Sequence, residues 1–186
     1  RSEMFSLITG GSGSGKSEYA ENLARETGGT RLIYLATMRV WDEEGRKRVE
    51  RHRRMRAGKG FETVERYTDL AGFADSPKQR NPLSGTDTIL LECMSNLAAN
   101  EFYEKEDGAA DRILAGVNCL RQRCGNLIIV TNEIFSDGVV YDSETERYIK
   151  LLAALNLCLA QQADRVTEVV YGIPLFLKEA GKENKV

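Results

Sequence analysis

Three groups of residues have the types and spacing to do chemistry. The first is Gly10, four residues, then Gly15, Lys16 and Ser17, within LITGGSGSGKSEYA over 7–20. Glycines let the backbone take positive φ and approach a ligand closely. Successive N–H groups and the start of a helix then make a concave anion site. Lys16 would reach the β- and γ-phosphates of a nucleoside triphosphate, and the Ser17 hydroxyl would coordinate Mg²⁺. A glycine-rich turn that merely joins two elements is the plainer reading. The context favours phosphate binding: an apolar run, MFSLIT over 4–9, comes before, and a helical stretch, KSEYAENLARE over 16–26, follows. That strand–loop–helix order is what the phosphate-binding loop requires.

The second group lies at the ends of apolar runs: Thr37 after LIYLA, Glu92 in LLEC, and Asn132 with Glu133 in VTNE. Glu92 stands where a Mg²⁺-directed carboxylate belongs in a phosphoryl-transfer enzyme. It reads alternatively as a solvated charge, and Glu133 is open between the same two readings. The third group is RKRVERHRRMR over 46–56, with seven basic residues in eleven around His52, the only histidine. It reads as a solvated helix face, given Asp42, Glu43, Glu44 and Glu50. It also reads as a nucleic-acid patch, or as a site where arginines clamp phosphates around a working histidine. Arg48, His52 and Arg56 fall at i, i+4 and i+8, one face of a helix.

The elements that must position these residues alternate. RLIYLAT (31–37), TILLEC (88–93), NLIIVT (126–131) and RVTEVVYG (165–172) read as buried strands. Residues 42–56, 109–124 and 143–163 read as helices, the last with Ser143 and Glu146 at capping-box spacing. Alternation of this kind implies an α/β fold, a mostly parallel sheet with helices on both faces. Ligands in such sheets sit beyond the carboxyl ends of the strands, which makes the strand-end residues Thr37, Glu92, Asn132 and Glu133 informative. Residues 74–87 read as a loop and 178–186 as a polar tail.

The 186 residues suit a single domain over 1–186, with 1–3 set aside as a remnant and 179–186 as tail. Hydrophobic content of 41% and charged content of 29% are those of a soluble globular chain. A net charge of −2 argues against a surface devoted to nucleic acid. No apolar run approaches a membrane span, and no secretory signal is seen. Cys93, Cys119, Cys124 and Cys158 form no C-x-x-C pair, which disfavours zinc. Cys93 and Cys158 read as core residues, and the chain as cytoplasmic.

Taken in order, ITGGSGSGKS, LIYLAT, RVERH, LLEC, VTNE and ADRVTEVVYGIPLFLK resemble the bifunctional adenosylcobinamide kinase / adenosylcobinamide-phosphate guanylyltransferase family over about 5–178. The resemblance implies two reactions of cobalamin nucleotide-loop assembly. A nucleoside triphosphate phosphorylates the aminopropanol hydroxyl of adenosylcobinamide, and GTP then gives GMP to that phosphate through a guanylylated histidine, which here is His52. It also implies Mg²⁺ with GTP or ATP, a catalytic role for Lys16, and a homotrimer. Nucleotide contacts are implied at Gly10, Gly11, Ser12, Gly13, Ser14, Gly15, Lys16 and Ser17, at Ala36, Thr37 and Met38, at Arg53, Arg54, Met55 and Arg56, and at Glu65 and Glu92, with Ser17 and Glu92 on the metal. A neutral imidazole is a competent nucleophile near neutral pH, and nearby arginines draw charge from a pyrophosphate leaving group. The sequence departs from the family at 134–142, where Tyr141 stands in place of the usual proline. A monofunctional P-loop kinase and a nucleic-acid-binding NTPase are the alternatives.

Overall fold

The computed structural model describes residues 4–76, 81–133 and 141–181. Seven strands form one sheet: β1 (Met4–Thr9), β2 (Leu32–Ala36), β3 (Phe61–Glu65), β4 (Thr88–Glu92), β5 (Asn126–Val130), β6 (Arg165–Val170) and β7 (Ile173–Lys178). The order across the sheet is β3-β2-β4-β5-β1-β6-β7. All neighbours are parallel except β6 and β7, which pair antiparallel. Among the described residues six helices connect them: α1 (Lys16–Thr27), α2 (Glu43–Arg56), α3 (Leu70–Ala74), α4 (Met94–Glu104), α5 (Ala109–Arg123) and α6 (Ser143–Gln162).

Side chains alternate across a strand, and that period sorts the core into two layers. Phe5, Leu7, Ile89, Leu91, Leu127 and Ile129 pack with Leu70, Leu97, Ile113 and Leu155 from α3, α4, α5 and α6. Ile8, Tyr34, Leu90, Ile128 and Val130 turn the other way, onto Ala20 and Ala24 of α1. β4 and β5 are covered on both faces, which is why they read as unbroken apolar runs. Each Leu or Ile so buried contributes about 1.5–3 kcal/mol. α2 is the exception, because it buries only Arg56.

β1 follows its apolar run, and β2, β4 and β5 fall within theirs, shorter by one or two residues. The run at 165–172 holds one strand, β6, shorter by two residues. It stops at Val170, turns through Tyr171 and Gly172, and returns as β7. Lys178 therefore belongs to a strand, and its Nζ donates to Ala160 O and Gln161 O at 3.2 and 3.0 Å. The loop at 74–87 begins one residue late, since Ala74 closes α3, and it ends on a fully buried Asp87 paired to Arg31 at 2.7 Å. The cap of α6 is Asp142 rather than Ser143: its carboxylate accepts from Thr145 N at 2.7 Å. Cys158 is half-buried rather than core, while Cys93 and Cys124 are buried. Most of the departure at 134–142 lies outside the described residues.

Candidate functional site

The glycine loop runs from the end of β1 into α1. Gly15 sits at φ 92°, a left-handed conformation that glycine adopts without strain, and caps the helix. At Gly10 a Cβ would lie 2.7 Å from Val169 O, so only glycine lets the loop pass β6. Lys16 is buried, and its Nζ donates to Gly11 O at 2.9 Å. Ser14 Oγ is buried with no hydrogen-bond partner among the described residues. It lies against Gly10, 2.6 Å from where a Cβ there would sit, a second reason that position takes glycine.

β4 brings Glu92 to the same edge, in register with Ala36 and Val130. Glu92 is not a solvated strand-end charge. One carboxylate oxygen accepts from Ser17 Oγ, and the other accepts from the Tyr34 hydroxyl at 2.7 Å. Burial, then the Glu92 charge, pushes the Tyr34 phenol far up, so it stays protonated as the donor. The Arg56 guanidinium lies 3.5 Å over the Tyr34 ring, and its buried Nε has no partner among the described residues. Ser17, Glu92, Tyr34 and Arg56 thus form a continuous chain of contacts from the glycine loop to α2. Among the described residues no cluster of three His, Cys, Asp or Glu side chains could cage a metal. A hydroxyl and one carboxylate beside a phosphate loop instead suit Mg²⁺, which keeps most of its ligands as phosphates and water.

α2 starts on Asp42, whose carboxylate accepts from Gly45 N at 2.6 Å. Its Arg48, Val49, His52, Arg53 and Arg56 line one cavity of about 290 Å³ with Ser12, Gly13, Lys16, Ser17, Tyr34, Glu65 and Glu92. Ala36, Met38, Thr63, Cys93, Asn96 and Asn132 complete the walls. Four cations, Lys16, Arg48, Arg53 and Arg56, face two carboxylates, Glu65 and Glu92, which favours an anionic occupant. Arg53 pairs with Glu65, which also accepts from Tyr67 OH at 3.0 Å. The basic run is therefore divided. Arg46 pairs with Glu43 and Glu50 away from the cavity, Arg48 and Arg53 line the cavity's rim with His52 while more than half exposed, and only Arg56 is buried in it.

Most of the expected site residues come together; some do not. Arg54 and Met55 are exposed and do not line the cavity. Thr37 is buried beside it, with Oγ1 donating to Cys93 O and accepting from Cys93 N, both at 2.8 Å. Its hydroxyl braces β2 to β4. Glu133 donates its N–H to Gly10 O at 3.4 Å, and its carboxyl hydrogen-bonds Glu168. That bond, with burial, raises the Glu133 pKa. Tyr34 and Val49 line the cavity from within LIYLAT and RVERH without being singled out by type, and Thr63 and Asn96 line it without a local motif to announce them.

A family model for cobinamide kinase / cobinamide phosphate guanyltransferase matches residues 6–177. The bifunctional adenosylcobalamin biosynthesis protein CobU of Escherichia coli is 30% identical over 190 residues, covering 94% of this chain and all of the relative. The corresponding protein CobP of Pseudomonas aeruginosa is 32% identical over 175 residues, 94% and 98% of the two lengths. Among solved structures, the flagellar accessory protein FlaH of Methanocaldococcus jannaschii superposes with TM-score 0.52 at 14% identity, covering 96% of this chain and 79% of that one. A second solved structure, an ATPase domain, gives 0.51 at 10% identity, covering 97% and 78%. These two likenesses speak to the P-loop NTPase fold alone.

Proposed function

The chain belongs to the cobinamide kinase / cobinamide phosphate guanyltransferase family, and we propose that the cavity between the glycine loop and α2 carries out both family reactions. In the first, a nucleoside triphosphate gives its γ-phosphoryl group to the aminopropanol hydroxyl of adenosylcobinamide. The loop N–H groups and Lys16 hold the β- and γ-phosphates, and Ser17 and Glu92 would hold Mg²⁺. The ion supplies neutralisation of charge on the β- and γ-oxygens.

In the second, a His52 ring nitrogen attacks the α-phosphorus of GTP. A phosphorus–nitrogen bond forms, the α–β phosphoanhydride bond breaks, and pyrophosphate leaves with the electron pair. An oxygen of adenosylcobinamide phosphate then attacks the same phosphorus, the phosphorus–nitrogen bond breaks, and the imidazole is restored. Splitting the displacement this way gives two easier steps. Arg48, Arg53 and Arg56 bind the phosphates and stabilise the leaving charge. The observation that carries this reading is that His52 shares one cavity with Lys16, Ser17 and Glu92. A cytoplasmic location and a homotrimer belong to the same reading, supported by four cysteines that form no disulfide and by the family resemblance respectively.

The test supplies Mg²⁺, adenosylcobinamide and GTP labelled at either the α- or the γ-phosphate. γ-Label should enter the phosphorylated corrinoid, and α-label the GDP-linked product. γ-Label alone would leave a monofunctional kinase.

A further inference from the structure

Trp41, the chain's single tryptophan, is 80% exposed immediately before the cap of α2. It does not stand alone. The Arg39 guanidinium lies 5.9 Å from the Trp41 ring centre and 5.6 Å from that of Tyr67. Arg39 also pairs with Glu104 at 3.1 Å. Asn100 holds the base of this shelf, donating to Thr37 O at 2.8 Å and Tyr67 O at 3.0 Å. The result is a fixed aromatic–guanidinium–aromatic surface with one face to solvent.

A groove of about 270 Å³ runs along it, lined among others by Met38, Arg39, Trp41, Arg48 and Asn96. Met38, Arg48 and Asn96 line the nucleotide cavity too, so the two hollows share a wall. Arg48 is also one helical turn from His52. The groove therefore adjoins the cavity that holds Lys16 and His52, across a wall of Met38, Arg48 and Asn96.

Resting on the function proposed above, we propose that this groove seats the corrinoid acceptor: its flat, amide-rimmed ring lies on Trp41 and Arg39, and its arm passes Met38, Arg48 and Asn96 into the nucleotide cavity. The chemistry requires such a surface. A cavity of about 290 Å³ has room for a nucleotide but not for a macrocycle as well. The acceptor's ring must rest outside while its hydroxyl or phosphate enters. Aromatic and guanidinium faces stack on conjugated rings, and Arg and Asn donors suit amide oxygens.

The experiment uses the full chain and two readouts. Adenosylcobinamide binding is measured by ultrafiltration and absorbance for wild type, Trp41→Ala, Trp41→Phe and Arg39→Ala. Labelling by α-labelled GTP, with no corrinoid present, is measured on the same proteins. Trp41→Ala should weaken corrinoid binding on the order of tenfold or more, the scale of an aromatic anchor. Arg39→Ala should weaken it less, Trp41→Phe should restore much of it, and labelling should stay within about twofold of wild type. Corrinoid binding unchanged in Trp41→Ala would overturn the assignment. So would a loss of GTP labelling, which would place Trp41 with the nucleotide, or a changed oligomeric mass with unchanged corrinoid affinity, which would make it a contact between copies. No corrinoid binding by wild type would remove the proposed function itself and the groove with it.

Discussion

The Tyr34 hydroxyl donates to Glu92 Oε2 at 2.7 Å, leaving the other Glu92 oxygen to Ser17. The tyrosine thereby fixes which edge of the carboxylate meets the Ser17 hydroxyl, while its ring supports Arg56 from beneath. Tyr34→Phe keeps the ring and removes the donor. The curve of kinase rate against Mg²⁺ should shift to higher concentration by roughly tenfold, the equivalent of about 1.4 kcal/mol for one hydrogen bond to a charged group. Glu92→Gln should shift it further, and adding Tyr34→Phe to Glu92→Gln should then change little. An unmoved curve in Tyr34→Phe would reduce the contact to packing.

Lys16→Ala should lower kcat for phosphoryl transfer by about 10²–10³, from about 3–4 kcal/mol of lost transition-state stabilisation. Its circular dichroism should match wild type, because the hydrogen bond of Lys16 Nζ goes to its own loop, at Gly11 O. Near-normal turnover would refute the loop's assignment.

The Glu133–Glu168 pair predicts a pH dependence. The hydrogen bond to Glu168, helped by burial, raises Glu133 above its ordinary value of 4.5, against a smaller opposing pull from Lys16. A group whose pKa is raised on folding stabilises fully below its unfolded value, and that contribution is lost as pH rises through the folded one. Glu168→Gln keeps a permanent donor. The melting temperature of wild type relative to this variant should therefore fall as pH climbs from 4.5 towards neutrality. A constant difference across that range would show that the two carboxyls do not share a proton.

What the sequence disclosed and what it hid have physical reasons. The placement of the glycine loop, Glu92 and His52 beside one cavity is legible because each lies in a short local pattern at a strand end or on one helix face. The buried strands are legible as continuous apolar runs. β3 is not, because FETVE lies at the sheet edge with Glu62 and Thr63 exposed and so resembles a loop. α4 is hidden because its buried polar residues read as surface. Glu101 is instead satisfied at long range by Asp69 N at 2.8 Å and Arg112 Nε at 3.0 Å. Tyr34 sits within an apolar run like any core residue, and only the fold brings it between Glu92 and Arg56. The shelf of Arg39, Trp41 and Tyr67 is likewise tertiary, joining residues on either side of α2 and β3.

The central claim is that the cavity's histidine carries GMP, and its test is clean because His52 is the only imidazole in the chain. The protein is incubated with Mg²⁺ and GTP labelled at the α-phosphate, then with GTP labelled at the γ-phosphate, and the label retained on the chain is counted after acid and after alkali. α-Label should be retained, be lost in acid and survive alkali, as a phosphorus–nitrogen bond does. γ-Label should not be retained by this route, since it departs with pyrophosphate, and His52→Ala should retain neither while keeping kinase activity through Lys16 and Ser17. Retention of α-label by His52→Ala, or an acid-stable bond in wild type, would contradict the account.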